Sequence, residues 1–443
     1  GGGTGASRGG DRMKGAAVSV VTDHADALPN LDTIIRGLLY VYIFCLPFKR
    51  LLFVERNGFI ILVVLLALWC WANQRHFFTR TPIDLPLIAF TVWVAFTVPF
   101  AVAPLYSLKE FAKLLQQVLI FYVVVQFFKD DRHRTRLAWM LGGGLAVVSA
   151  YGVFQFKDLL GAMPQEGELM LVESVTPGEV WLTTYLVMLI PLGLAIAWCD
   201  GRTSVRRIGL GVTVLATLCL LLTYSRAGLL ALLCEMAVLA WFMKRRTVVI
   251  GMAASVLVVV LGSAALFQYD VTVRGGWKAR PGSTLPLADT GTLALRWEAW
   301  KFTAEQISGH WLVGVGFGKD KQKEIYGRSP DAQEGTGPAR FPGTHNTFLD
   351  IALGVGLPGL ILFVWLMGRI LGKAFAAFRH ADDPLAKAIA LGVGVGVAGL
   401  AVRLMFDHML IGALALQFWV LVALAMVVYT DTSVMKSTAD ASR

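Results

Sequence analysis

Three short stretches of this 443-residue sequence bring together residue types suited to an anionic substrate. In Tyr224-Ser225-Arg226-Ala227-Gly228 an arginine sits between two apolar runs, with almost no loop to carry its charge away from a bilayer. Such a charge is costly unless paired. An ion pair with Asp350 or Asp407 is one resolution; an anionic substrate group is the other, and the preferred one. The second stretch is Arg296 with Trp297 and Trp300, where the tryptophans anchor a helix at a membrane interface more readily than they stack on a sugar. The third, Pro342-Gly343-Thr344-His345-Asn346, opens an apolar run. A helix start turns backbone N–H groups and a positive dipole end toward an anion. A histidine there ordinarily caps or packs, but beside two arginines a neutral His345 ring is a candidate general base.

These residues need a scaffold, and the composition indicates which kind. Hydrophobic residues make up 56% of the chain and charged ones 16%, and the apolar residues fall in long unbroken runs. An all-α integral membrane protein follows, because a helix of roughly 20 apolar residues crosses the bilayer and these runs do not alternate as barrel strands do. About twelve transmembrane helices are expected, nine in a region from 13 to 267, the ninth near 247–267, and three in a region from 346 to 430. Between them lies one large outer loop, 268–345, and after them a cytoplasmic tail, 431–443. Residues 1–12 resemble an expression remnant, with Met13 the expected start and the first span, not a cleaved signal peptide, directing insertion. The five cysteines lie in or at the edges of spans and read as small buried hydrophobes. The net charge of +10 is spread between spans, which argues against nucleic-acid binding.

Lysine and arginine in short loops stay on the cytoplasmic side. The loops at 75–80, 129–136, 202–207, 244–246 and 369–387 are all basic, whereas 157–179 carries four glutamates against one lysine. Both chain ends are therefore expected inside and the 268–345 loop outside. Lys49, Arg50, Arg56, Lys109, Lys113 and Arg403 then fall on the outer side, against the bias. They either snorkel to headgroups or, with Arg226, hold an anionic ligand at the outer leaflet. Within the loop an amphipathic helix is expected over 292–307, with Leu293, Trp297, Trp300, Ala304 and Ile307 in one stripe and Arg296 at its border, facing the bundle. Gly314-Val315-Gly316-Phe317-Gly318 is no nucleotide loop, because no strand precedes it and Asp320 stands where Ser or Thr is required. The outer loops hold no HExxH, cysteine pair or close carboxylate pair, so chemistry without metal or cofactor is expected. Glycines at 142–144 and 392–396 are expected to permit close helix packing.

Ser225-Arg226-Ala227-Gly228 at a short outer turn, Arg296-Trp297 ahead of a Gly-Val-Gly segment, and His345-Asn346 opening a span with Gly354 and Gly356 together resemble the O-antigen ligase family (WaaL) of the O-antigen ligase/polymerase (Wzy-like) superfamily. The motif-bearing part runs from about 224 to 360. The resemblance implies a GT-C-type glycosyltransferase of lipopolysaccharide biosynthesis in the bacterial inner membrane, its active site facing the periplasm. It would move O-antigen from undecaprenyl pyrophosphate to a sugar hydroxyl of lipid A-core, with inversion and no metal. His345 would take the hydroxyl proton, and Arg226 and Arg296 would neutralise the pyrophosphate. Lys49, Arg50, Arg56, Lys109, Lys113 and Arg403, with Asn346 and Trp297, are the candidates for binding the substrate and its lipid phosphates. An O-antigen polymerase is expected to carry two sizeable outer loops and an O-linked oligosaccharyltransferase a larger C-terminal region. A transporter or flippase of a lipid-linked sugar would show internal repeats, and none is evident here.

Overall fold

The computed structural model describes residues 29–161, 172–243, 290–319, 321, 325 and 343–441. Among them the chain forms α1 (Pro29–Cys45), α2 (Leu52–Asn73), α3 (Asp84–Thr97), α4 (Pro104–Phe127), α5 (Asp131–Gly161), α6 (Glu179–Cys199), α7 (Thr203–Leu222) and α8 (Arg226–Met243). These are followed by α9 (Thr290–Gly309), α10 (Thr347–His380), α11 (Pro384–Arg403) and α12 (Gly412–Ala441), and the described residues contain no strand. Among the described residues seven helices, α2, α5, α6, α7, α10, α11 and α12, are long and apolar enough to cross a membrane, which makes this a multi-pass membrane protein. α1 and α3 also fall on expected spans, with 17 and 14 described helical residues, fewer than the roughly 20 of a typical crossing. The span expected near 247–267 lies outside the described residues.

α6, α11 and α12 form the centre of the bundle, buried along most of their length. Their approach depends on the glycine run of α11. A Cβ on Gly392 would lie 2.5 Å from the Leu192 backbone and one on Gly396 2.7 Å from the Met188 carbonyl oxygen, so α11 meets α6 backbone to backbone. Hydrophobic side chains of α2, α3 and α7 such as Ile60, Ile88 and Val214 face outward, as lipid contact requires.

The second architectural feature is a break in α10. Val355 and Gly356 leave the helical conformation, Gly356 at φ +77°, and Pro358 follows without an N–H to donate. Exposed backbone groups are costly at membrane depth unless protein satisfies them. The segment after α9 does so. Val315 N donates to Leu353 O (2.8 Å), Gly316 N to Gly354 O (2.9 Å), and Leu357 N to Trp311 O (2.8 Å). On the other side Trp93 Nε1 donates to Val355 O (2.8 Å). Gly314, Gly316 and Gly318 all have positive φ, and a Cβ on Gly314 would fall 2.4 Å from the Gly354 carbonyl. The Gly-Val-Gly-Phe-Gly stretch is therefore a strap laid against the broken helix, and it carries Lys319 and Lys321 into the bundle.

Candidate active site

His345 precedes α10 in the left-handed region, at φ +47°. For a residue with a Cβ this costs about 1 kcal/mol or more, so the surroundings must impose it. They do so from both sides. Asn346 caps α10, its Oδ1 accepting from Phe348 N (2.9 Å) and Leu349 N (3.1 Å). Thr347 N donates to Leu404 O (2.8 Å) and Thr347 Oγ1 to Asp407 O (2.8 Å), which fastens the segment to the α11–α12 connection. Trp300 Nε1 donates to Thr344 O (3.0 Å) and docks α9 on the same residues. Tyr224, two residues before Arg226, repeats the pattern at φ +52°, with Ser225 Oγ accepting from Gly228 N (3.2 Å) at the start of α8.

The clamped histidine lies against a carboxylate. His345 Nδ1 is 3.2 Å from Asp407 Oδ1, and Arg403 Nη1 is 2.7 Å from Asp407 Oδ2. Half of the His345 side chain is exposed while Arg403 is buried at 1%. Burial would push the Asp407 carboxyl up, but the His345 hydrogen bond, the Arg403 guanidinium and the charge of Arg296 hold it below the usual carboxylate range. Asp407 is thus a stable anion behind His345. With Nδ1 so engaged, Nε2 points away from Asp407.

His345 and Asp407 line a cavity of about 350 Å3 together with Glu179 and Trp181 of α6, Lys319, Asp350 and His408. A second cavity of about 510 Å3 adjoins it, lined by Arg56 of α2, Lys113 and Gln116 of α4, Trp181, Lys319, Lys321, Asp350, His408 and several apolar side chains. The contributing ends are the starts of α2, α4, α6, α10 and α12, so the site opens at one end of the bundle. Of the basic stretches expected on the cytoplasmic side, those at 75–80, 129–136, 202–207 and 369–387 lie toward the opposite ends of α2, α4, α6 and α10, and the one at 244–246 lies outside the described residues.

The three candidate catalytic residues are not placed alike. His345 is in the smaller cavity, and Arg296, half buried on α9, is close enough to act on Asp407. Arg226, half buried at the start of α8, lines neither cavity. It lies at the same end of the bundle: Glu235 of α8 abuts Gly399 of α11, which sets Arg226 about 13 Å and Arg403 about 6 Å from that contact, both toward the site. The aspartates expected as its partners are engaged elsewhere, Asp407 with His345 and Arg403 and Asp350 with Lys321 and His408.

Among the substrate-binding candidates, Arg56 and Lys113 line the larger cavity, Lys113 paired with Glu110 at 2.5 Å. Lys49, Arg50 and Lys109 are exposed outside both cavities, Lys49 N donating to Val175 O (2.8 Å). Arg403 and Asn346 are engaged with Asp407 and with the α10 start. Trp297 is 57% exposed with Lys301 Nζ 5.4 Å over its ring, and the buried side of α9 centres on Ala299 and Thr303 instead of the expected Trp297 stripe. Helix period fixes only relative directions, and the docking bond of Trp300 rotates the helix from the purely apolar solution.

Sequence reading missed the role of Asp407 as partner of His345, and the cluster of Lys321, Asp350 and His408. The four-residue spacing of Arg403 and Asp407 was the one available signal.

Residues 211–364 match a family model described as O-antigen ligase. The match begins within α7 and ends within α10, so it takes in Arg226, Arg296, His345 and the strap, and leaves α1–α6, Asp407 and His408 outside. No curated protein matches the chain.

Proposed function

From the O-antigen ligase/polymerase superfamily to which residues 211–364 assign this chain, a superfamily of glycosyltransferase-like membrane proteins, we propose that it is the ligase itself. Its donor is O-antigen on undecaprenyl pyrophosphate and its acceptor a sugar hydroxyl of lipid A-core, joined at the periplasmic face of the inner membrane. The observation that carries this reading is the His345–Asp407 pair at the 350 Å3 cavity, flanked by Arg403 and Arg296.

Asp407 holds the Nδ1 proton and leaves Nε2 of His345 to accept the proton of the acceptor hydroxyl. The acceptor oxygen then attacks the anomeric carbon as the carbon–oxygen bond to the pyrophosphate breaks, and the electron pair leaves with the phosphate. One displacement inverts the anomeric centre. The leaving group gains negative charge as that bond breaks, and cations preorganised around it favour the transition state more than the ground state. Arg296 and Arg226 supply that charge, and a guanidinium can meet two phosphate oxygens at once.

The test is transfer by the purified full chain in nanodiscs, given undecaprenyl-pyrophosphate O-antigen and, in separate reactions, lipid A-core, a second donor molecule or a protein. Glycan attached to lipid A-core with inverted anomeric configuration is the expected result. Elongation with the second donor alone would make the chain a polymerase, and absence of product with every acceptor would overturn the enzymatic reading.

A further inference from the structure

Two aspartates tie the α10 start to the α11–α12 connection, and the proposed reaction uses only one of them. Asp350 is the other. Lys321 Nζ is 2.6 Å from its Oδ1 and also donates to Gly318 O (2.9 Å), while His408 Nδ1 meets its Oδ2. Lys321 and Asp350 are 2% and 3% exposed, so this is a buried ion pair inserted by the strap. Taking two charges out of water is expensive, and removing either partner leaves the other stranded, so the pair is a rigid fixture.

What it fixes is the partition between the cavities. Asp350, His408, Lys319 and Trp181 line both. With Nδ1 of His408 on the carboxylate, ring geometry directs Nε2 away from Asp350, and His408 keeps part of its side chain accessible. Lys321 and His408 take separate oxygens of Asp350, so the carboxylate has a partner on each side. Lys319, half buried, pairs with no carboxylate among the described residues. Two nitrogen-bearing side chains thus stand at the junction, and the larger cavity offers Phe59, Ile60, Leu410 and Leu416 as an apolar wall beside them. That combination suits a ligand with an anionic head and a hydrocarbon body.

We propose that Lys319 and His408, held at the partition by the buried Lys321–Asp350 pair, bind the phosphate of a membrane-anchored lipid. Lys319 and His408 are the binding residues; Lys321 and Asp350 position them. The inference rests on the glycosyl-transfer reading for the two lipids that bring phosphate here, the diphosphate of the lipid carrier and a phosphate of the acceptor lipid.

The experiment measures binding to the full chain in phosphatidylcholine nanodiscs of undecaprenyl pyrophosphate, diphosphoryl lipid A and, as the uncharged control, undecaprenol. Lys319→Gln and His408→Gln should each weaken binding of a phosphate-bearing probe about tenfold, the effect of one charge-assisted hydrogen bond, and leave undecaprenol unchanged. Lys319→Arg should restore most of the loss. Loss toward undecaprenyl pyrophosphate assigns the site to the carrier, and loss toward diphosphoryl lipid A assigns it to the acceptor; either supports the proposal. Lys319 belongs to no buried pair among the described residues, so its variant carries the test even where His408→Gln lowers the unfolding midpoint. Both phosphate probes bound by Lys319→Gln within about twofold of wild type would overturn it. The transfer assay separates the two readings: normal glycan transfer with unaltered probe binding defeats the phosphate site alone, and lost binding without transfer to any acceptor defeats the ligase reading alone.

Discussion

Asp407 and Asp350 are built from the same parts, a carboxylate with one histidine and one basic side chain, yet they are suited to opposite tasks. At Asp407 the histidine is half exposed and the buried partner is Arg403; at Asp350 the carboxylate and Lys321 are both buried, and His408 is the most accessible of the three. In a low-dielectric setting a carboxylate with all its partners in place is stiff, because any movement strands a charge. An imidazole with one nitrogen on such a carboxylate and the other toward open space is oriented yet still able to exchange a proton. In the proposed reaction one cluster would handle protons while the other would hold the wall against which substrate lies.

The sharpest way to break this comparison is to remove the two histidine–aspartate functions separately. His345→Ala should lower the rate of glycan transfer by about 10²- to 10⁴-fold, the usual contribution of a general base, with the unfolding midpoint and donor binding retained. Transfer at near wild-type rates would end the base role. Asp350→Asn should do the reverse in kind, reducing stability by about 3–5 kcal/mol because the Lys321 charge is left buried without a counter-ion. Denaturant unfolding in detergent measures this, and Lys321→Met combined with Asp350→Leu should recover part of the loss. A loss from Asp350→Asn within about 1 kcal/mol, the range of exposed pairs, would place Asp350 in the same class as a surface bridge.

The difference between the clusters also marks where sequence stops being readable. Apolar runs locate helices well, because burial in lipid or protein acts residue by residue along the chain; α6, α11 and α12 lie where hydropathy puts them. Arg226, which opens α8, and His345, just before α10, stand out since charge beside an apolar run needs an explanation. The partners do not stand out. Asp407 reaches His345, and Lys321 reaches Asp350, only once α10 and α11 are antiparallel and the strap is in place. The break at Val355–Gly356 was also hidden, for Gly356 and Pro358 inside a long apolar run are tolerated wherever another segment satisfies the freed backbone. Even the Gly-Val-Gly-Phe-Gly stretch, recognisable as unsuited to nucleotides, took its meaning from the backbone it lies against.

The finest distinction between the clusters is their response to pH. Asp407 lies outside the spanning helices with a carboxyl held below its ordinary range by His345 and Arg403. A carboxylate whose folded pKa is depressed contributes stability that is fully present above the unfolded value, near 4, and is lost as pH falls through the folded value. The stability difference between wild type and Asp407→Asn should therefore stay level from about pH 8 to pH 5 and shrink only below about pH 4, by at most about 1.4 kcal/mol per pH unit. Unfolding midpoints of the two proteins across that range give the difference directly. If it already narrows between pH 7 and pH 5, Asp407 takes up a proton where it is required as an anion, and the orientation of His345 must come from the Thr344–Asn346 clamp instead.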